Sequence, residues 1–280
     1  MLRQRVITAV VLLLVLLPAL FYPDPLPWRM VTLALIVAAA WEWGRLNGYG
    51  PLVAWPGAFV CLLLCVMAWD TGMLTRAMPV FWTLAGAGWV LAGAGLLRGG
   101  AVLWRGIPRW LRLVAGVLAL WATWIAVVQA RSVGVNFLLS VLMLVWVADI
   151  AAYFAGKAWG VRKLAPSISP GKSWEGVWGG MAGVLVLAGV WLWADRIWHA
   201  VVPSFYTQLA GRSAFFLVVA VLFMAAMSVV GDLVESLIKR SAGVKDSSGL
   251  LPGHGGVLDR VDALLPTLPL AMMFHSLARA

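Results

Sequence analysis

The side chains able to do chemistry in this chain are few, and they gather in three short stretches. The first is Ser228-Val-Val-Gly231-Asp232-Leu-Val-Glu235-Ser236-Leu-Ile-Lys239-Arg240. At about 100° per residue, Asp232, Glu235, Ser236 and Lys239 share one face of a helix, which thus carries two carboxylates, a hydroxyl and an ammonium. A solvated helix end with ordinary i,i+3 and i,i+4 pairs has the same composition. Asp232, however, lies only about a turn beyond an apolar run, where an ionisable group is costly and marks a function.

The second stretch is Lys245-Asp246-Ser-Ser-Gly-Leu-Leu-Pro252-Gly253-His254-Gly255-Gly256-Val-Leu-Asp259-Arg260-Val-Asp262. Its glycines allow close backbone approach and can turn N–H groups toward phosphate oxygens. Asp259 and Asp262 are i and i+3, on one helix face. Two carboxylates beside several cations suit a divalent metal holding a phosphate ester.

The third begins at Asp149-Ile-Ala-Ala-Tyr153-Phe-Ala-Gly156-Lys-Ala-Trp-Gly160, whose named positions form one helical stripe. Asp149 is expected in a buried polar site, and Gly156-x-x-x-Gly160 in helix packing. It continues through Ser169-Pro170-Gly171-Lys172-Ser173-Trp174-Glu175-Gly176. Gly-Lys-Ser without the leading glycine of a P-loop is not a nucleotide-hydrolase motif. Lys172, hydroxyls and free amides ahead of a helix still suit phosphate, a reading favoured over a plain helix cap by Ser173.

These groups must be carried by membrane helices. Of 280 residues 63% are apolar and 11% charged, against about 45–50% and 25% in soluble domains. The expected fold is all-α and polytopic. About nine spans qualify by length, near 6–22, 28–46, 52–69, 79–97, 112–129, 134–156, 177–194, 214–236 and 262–278. Five lie in an N-terminal part, 1–133, and four in a C-terminal catalytic part, 134–280, which also holds the loops 157–176 and 239–261. Only three of the 11 acidic residues, Asp24, Glu42 and Asp70, precede residue 134.

With the N-terminus placed in the cytoplasm, six of the 21 Lys and Arg residues (Arg29, Arg76, Arg131, Arg196, Arg212 and Arg279) fall on the outer side and the other fifteen inside. That asymmetry is the positive-inside pattern, and it puts both polar loops on the cytoplasmic face. The net charge of +10 therefore reports topology, and no nucleic-acid partner is expected. The first apolar run lacks a small-residue cleavage site and is expected to be a retained span. Cys61 and Cys65 are expected to be buried hydrophobes, His199 and His275 structural, Glu42 and Arg45 an ion pair bordering the site, and Arg98–Arg112 an amphipathic stretch at anionic headgroups.

From Ser236 to Asp262 the chain resembles the signature of the phosphatidate cytidylyltransferase (CDP-diacylglycerol synthase) family, agreeing at every constrained position over 27 consecutive residues. The Asp149–Gly160 and Ser169–Gly176 motifs resemble the same family, with Ser173 where Thr is common. The likeness is strong over roughly 146–262 and weak before it, apart from Glu42-Trp43. It implies a multi-pass, usually dimeric enzyme that joins CTP to phosphatidic acid, yielding CDP-diacylglycerol and pyrophosphate, with dependence on Mg²⁺, another divalent ion or an additional monovalent cation. The expected location is a bacterial inner membrane.

On that resemblance Asp232, Asp259 and Asp262 are assigned to the metal. Lys239, Arg240, Lys245, Asp246, His254 and Arg260 are assigned to catalysis, and Asp149, Tyr153, Ser169, Lys172, Ser173, Glu235, Gly255 and Gly256 to substrate. Two other classes need weighing. A CDP-alcohol transferase would carry D-G-x-x-A-R, which is absent. A transporter would carry charges in both halves and a path to each side, whereas these cluster on one face.

Overall fold

The computed structural model describes residues 2–279. Its helices are α1 (Leu2–Phe21), α2 (Leu26–Leu46), α3 (Trp55–Asp70), α4 (Pro79–Gly106), α5 (Arg109–Val133), α6 (Val135–Trp159), α7 (Trp174–Ile197), α8 (Phe205–Arg212), α9 (Ala214–Ser241), α10 (Leu258–Val261) and α11 (Leu264–Arg279). Each of the nine apolar stretches becomes a helix. Seven are long and apolar enough to cross a membrane: α1, α4, α5, α6, α7, α9 and the continuous stretch 258–279. Helix α3 is apolar but only 16 residues long. Helix α2 spans 21 residues and is interrupted by Arg29, Glu42 and Arg45.

The architecture is all-α apart from one small element. Between α6 and α7 the chain forms a small antiparallel hairpin, β1 (Lys163–Ala165) with β2 (Ser169–Ser173), pairing Lys163 with Ser173 and Ala165 with Ser169. The polar loops are also shorter than 157–176 and 239–261, because α6 runs on to Trp159 and α9 to Ser241.

Cross-chain hydrogen bonds tie the helix ends together. At one end Arg5 Nε and Thr8 Oγ1 donate to the carbonyls of Gly253 and Pro252. At the other, Arg131 donates to the carbonyls of Leu20 and Tyr22, and Gln129 Nε2 to those of Met73 and Arg76. Also at this second end, Asp195 accepts from Asn136 Nδ2, the Ser204 amide and Thr207 Oγ1, joining α6, α7 and α8. Tyr206 of α8 donates to the Ser140 carbonyl, and burial pushes its phenol above the usual range.

The core is aromatic and aliphatic, with Trp82, Trp124, Phe137 and Leu144 essentially inaccessible. Two of the buried indoles keep a partner for N–H: Trp82 donates to Gln129 and Trp43 to the Arg112 carbonyl, whereas the Trp124 N–H has none among the described residues. Cys61 and Cys65 are free and buried, as expected of small hydrophobes. His275 is buried against Phe137 with Nδ1 2.5 Å from Gln208, a structural setting. Helix α4 breaks at Gly100 (φ 59°), so the Arg98–Arg112 stretch spans the end of one helical segment, the piece 101–106 and, after a turn, the start of α5, with Arg112 stacked on Trp104.

Candidate active site

Helices α6 and α7 pack almost backbone to backbone. A Cβ on Gly176 would stand 2.9 Å from the Ala152 carbonyl, and one on Gly180 2.9 Å from that of Ala148. Small residues permit this approach between membrane helices, and Gly156 contributes to it, facing Ser173 and Gly176. The hairpin closes the top of the pair. Glu175 accepts from the amides of Val161 and Arg162 and from the Arg162 guanidinium. Ser173 ends β2 and accepts from the Gly176 amide as the α7 cap. The two readings of Ser173 thus meet, since the capping hydroxyl also lines the cavity described next.

Beside this pair, α9 and the segment entering α11 enclose a cavity of about 560 Å³. Helix α6 supplies Asp149, Tyr153, Gly156 and Lys157, β2 supplies Ser169, Gly171, Lys172 and Ser173, α9 supplies Asp232, and the last segment supplies Asp259, Arg260 and Asp262. Lys172 Nζ lies 2.6 Å from Asp232 Oδ2, and Ser236 donates to the other oxygen. Asp149 is ten residues from the end of α6 and Asp232 nine from the end of α9. At 1.5 Å per residue both lie about 15 Å below those ends, so the charged floor is sunk among apolar helices.

A second polar cluster forms the wall behind the cavity. Asp259 accepts from Lys239 Nζ (2.6 Å), the Gly256 amide (2.7 Å), and both the amide and hydroxyl of Ser247 (2.9 Å each). Lys239 also touches Glu235 Oε2 at 2.5 Å. Buried near the C-terminal end of α2, Glu42 accepts from the Val257 amide (3.0 Å), the Leu258 amide (2.7 Å) and the Ser248 hydroxyl, and shares the Ser247 hydroxyl with Asp259. The expected Glu42–Arg45 pair does not form. Arg45 instead stacks on Trp41, because the loop offers Glu42 two amides and two hydroxyls that would otherwise be buried unsatisfied.

Of the residues singled out from sequence, Asp149, Tyr153, Ser169, Lys172, Ser173, Asp232, Asp259, Arg260 and Asp262 face the one cavity. Glu235 and Lys239 are buried behind it, with the Lys239 side chain 13% exposed between two carboxylates. Arg240 and Lys245 point to solvent. Asp246 lines a separate cleft with Arg45 and Tyr49. His254 is outside the cavity, its carbonyl accepting from Arg260. Gly255 and Gly256 are not among the residues that line the cavity. The Gly256 amide is taken by Asp259, and Gly255 (φ 83°) turns the chain where a Cβ would lie 2.6 Å from Asp259. Two features escaped sequence reasoning. Lys157 lines the cavity one turn after Tyr153, a spacing that the stripe already offered. The grip of Glu42 on the loop has no local signal beyond a carboxylate inside an apolar helix.

Nearly the whole described chain is covered by one relationship. Residues 3–278 match the model of the cytidylyltransferase family. The chain is 38% identical over 276 residues to the phosphatidate cytidylyltransferase of Pseudomonas aeruginosa, covering 96% of this chain and 95% of that one. It is 36% identical over 297 residues to the phosphatidate cytidylyltransferase of Haemophilus influenzae, covering 98% and 99%. The phosphatidate cytidylyltransferase of Bacillus subtilis is 40% identical over 136 residues, 49% of this chain. With both its termini-to-termini likeness and its polar cavity in agreement, the chain belongs to the cytidylyltransferase family.

Proposed function

We propose that this protein is a membrane nucleotidyltransferase that moves CMP from CTP to phosphatidic acid, giving CDP-diacylglycerol and pyrophosphate for phospholipid synthesis. The observation that carries the reading is the single cavity, sunk among apolar helices yet lined by Lys157, Lys172, Arg260 and four carboxylates. A lipid can leave its acyl chains in the bilayer while its phosphate enters such a site. Incubating the purified protein with labelled CTP and phosphatidate, then omitting each in turn, tests it. Labelled CDP-diacylglycerol should form only with both present.

A phosphatidate oxygen attacks the α-phosphorus of CTP, and the bond to the bridging oxygen of the β-phosphate breaks to release pyrophosphate. The nucleophile is already anionic, so the protein need not activate a hydroxyl. Its task is alignment and charge neutralisation. Lys172, Lys157 and Arg260 are the cations placed to receive phosphate oxygens, and Lys172 is held in place by Asp232.

The carboxylate donors also fit a hard divalent cation such as Mg²⁺. Asp232 and Asp262 would hold it, with Asp149 alongside, while Asp259 already has four protein donors and serves the wall. Among the described residues no three His, Cys, Asp or Glu side chains converge closely enough to form a closed metal cage, in keeping with an ion shared with substrate phosphates. Such an ion would neutralise charge on the triphosphate.

Nine crossings, a cytoplasmic N-terminus and a cytoplasmic cavity in the inner membrane belong to this proposal, supported by the nine apolar helical stretches and the Lys and Arg asymmetry. In a background lacking Cys61 and Cys65, cysteines at 169 and 249 should resist an impermeant reagent on intact cells and label once the membrane is opened. Labelling of residue 249 from outside overturns the topology. The corresponding expectation for Ala280 lies outside the described residues. The dimer that the resemblance implies is part of the same proposal, to be read from the mass of the detergent-solubilised protein.

Transfer is direct, with both substrates bound together and inversion at the α-phosphorus. Ser169, Ser173, Ser236, Ser247 and Ser248 have no His-carboxylate relay: Ser173 caps α7, Ser236 donates to Asp232, and Ser247 and Ser248 donate to Glu42. Exchange of label between CTP and pyrophosphate should therefore require phosphatidate. Rapid lipid-independent exchange, with net retention in a chiral α-thio CTP, overturns this step.

A further inference from the structure

We propose that Glu42 is a positioning residue for the transfer reaction, holding the 247–258 loop so that Asp259 and Arg260 form the cavity wall. The inference rests on the reading of the cavity as the transfer site. Glu42 is fully buried in α2 and belongs to no part of the cavity lining. Its two oxygens divide the loop evenly. Oε1 accepts from the Val257 amide and the Ser248 hydroxyl, and Oε2 from the Leu258 amide and the Ser247 hydroxyl.

The link to the cavity is short. The Ser247 hydroxyl stands between Glu42 Oε2 (3.3 Å) and Asp259 Oδ2 (2.9 Å), and Asp259 continues to Lys239 and Glu235 on α9. One polar chain thus runs from α2 to α9, with Asp259 at its midpoint facing the cavity. Residues 247 and 257 lie more than 200 positions from Glu42, so no local preference of the loop replaces this anchor. Leu251 and Gly255 make the loop's own bridge, leaving the 256–258 amides dependent on the two carboxylates.

The even division makes Glu42→Gln informative. Whichever way the amide turns, its NH₂ faces a backbone N–H, from Val257 or from Leu258. A serine hydroxyl can rotate to accept, but a backbone amide cannot. Glu42→Asp keeps both acceptors on a shorter stem. Purified, membrane-reconstituted variants are followed by hydrogen exchange and by kcat and KM for both substrates.

In Glu42→Gln, exchange at residues 247–258 should rise at least tenfold while α6 and α7 keep their protection. Turnover should fall about 10²-fold, mainly in kcat, and Glu42→Asp should recover part of both. Unchanged exchange, exchange raised equally throughout the helices, or a loosened loop with undiminished kcat each overturns the proposal. Exchange is read without turnover, so a wild-type protein that fails to make CDP-diacylglycerol would refute the transfer reading while leaving the Glu42 anchor measurable.

Discussion

Asp232→Asn should lower CDP-diacylglycerol formation by about 10²- to 10³-fold or more, the loss typical of removing one fixed electrostatic partner from a reaction centre. The substitution keeps size and shape, and Ser236 can still bond the side chain. What disappears is the negative charge that holds Lys172 at 2.6 Å and that would hold a divalent cation. The variant should insert and melt like the parent, because Asp232 lines a cavity and is not core. Initial rates across a magnesium titration, with the amount of folded protein measured alongside, check it. Near-normal activity in excess Mg²⁺ would remove Asp232 from the site. Asp259→Asn is a different experiment. It takes one carboxylate from Lys239 and sets an amide against the Gly256 and Ser247 donors, so it should loosen the loop as well as slow transfer.

Gly256→Ala should be as damaging without touching any charged group. A Cβ there would be driven into the Ser247 hydroxyl and the Glu42 carboxylate. Neither is the free end of a flexible chain, since Ser247 is held by Asp259 and Glu42 by two backbone amides. The loop must move away, breaking bonds to buried groups that cost about 1–3 kcal/mol each when left unpaired. Turnover should fall by about 10²-fold or more, with increased proteolytic sensitivity at Lys245 and Arg260 and little change in the helical content of the membrane-embedded part. An Ala variant with parental kinetics and parental cleavage would mean that the loop tolerates a side chain facing Glu42, and the tight anchoring described here would be wrong.

Membrane residence and the helices were legible from local pattern, because the bilayer demands about 20 apolar residues per crossing and the punctuation between them is polar or rich in Pro and Gly. The stripe of Asp149, Tyr153 and Gly156 was legible for a related reason: a single helix sets the angles among its own residues. Asp149, Lys172, Asp232 and Asp262 were each singled out because charges in an apolar chain are costly, but that they line one cavity follows only from packing.

Two local rules gave incomplete answers. The 160–173 stretch has no strand periodicity of its own, and its hairpin is secured from α7 by Glu175, which takes the Val161 and Arg162 amides. The stripe on α9 correctly grouped Asp232 and Lys239, yet tertiary packing sends them to different tasks. Asp232 faces the cavity and Lys172, while Lys239 is drawn behind it by Asp259, a residue 20 positions away.

The glycines and serines of the 245–262 signature have the composition of a phosphate loop, and nothing within that stretch distinguishes amides offered to a ligand from amides used by the protein. The distinction came from Glu42, on a helix more than 200 residues earlier. Side-chain type and helical periodicity act over a few residues, so they specify the elements and the inventory of reactive groups. Which carboxylate faces substrate and which one braces the wall is set by long-range hydrogen bonds, whose partners exist only once α2, α9 and the loop have packed together.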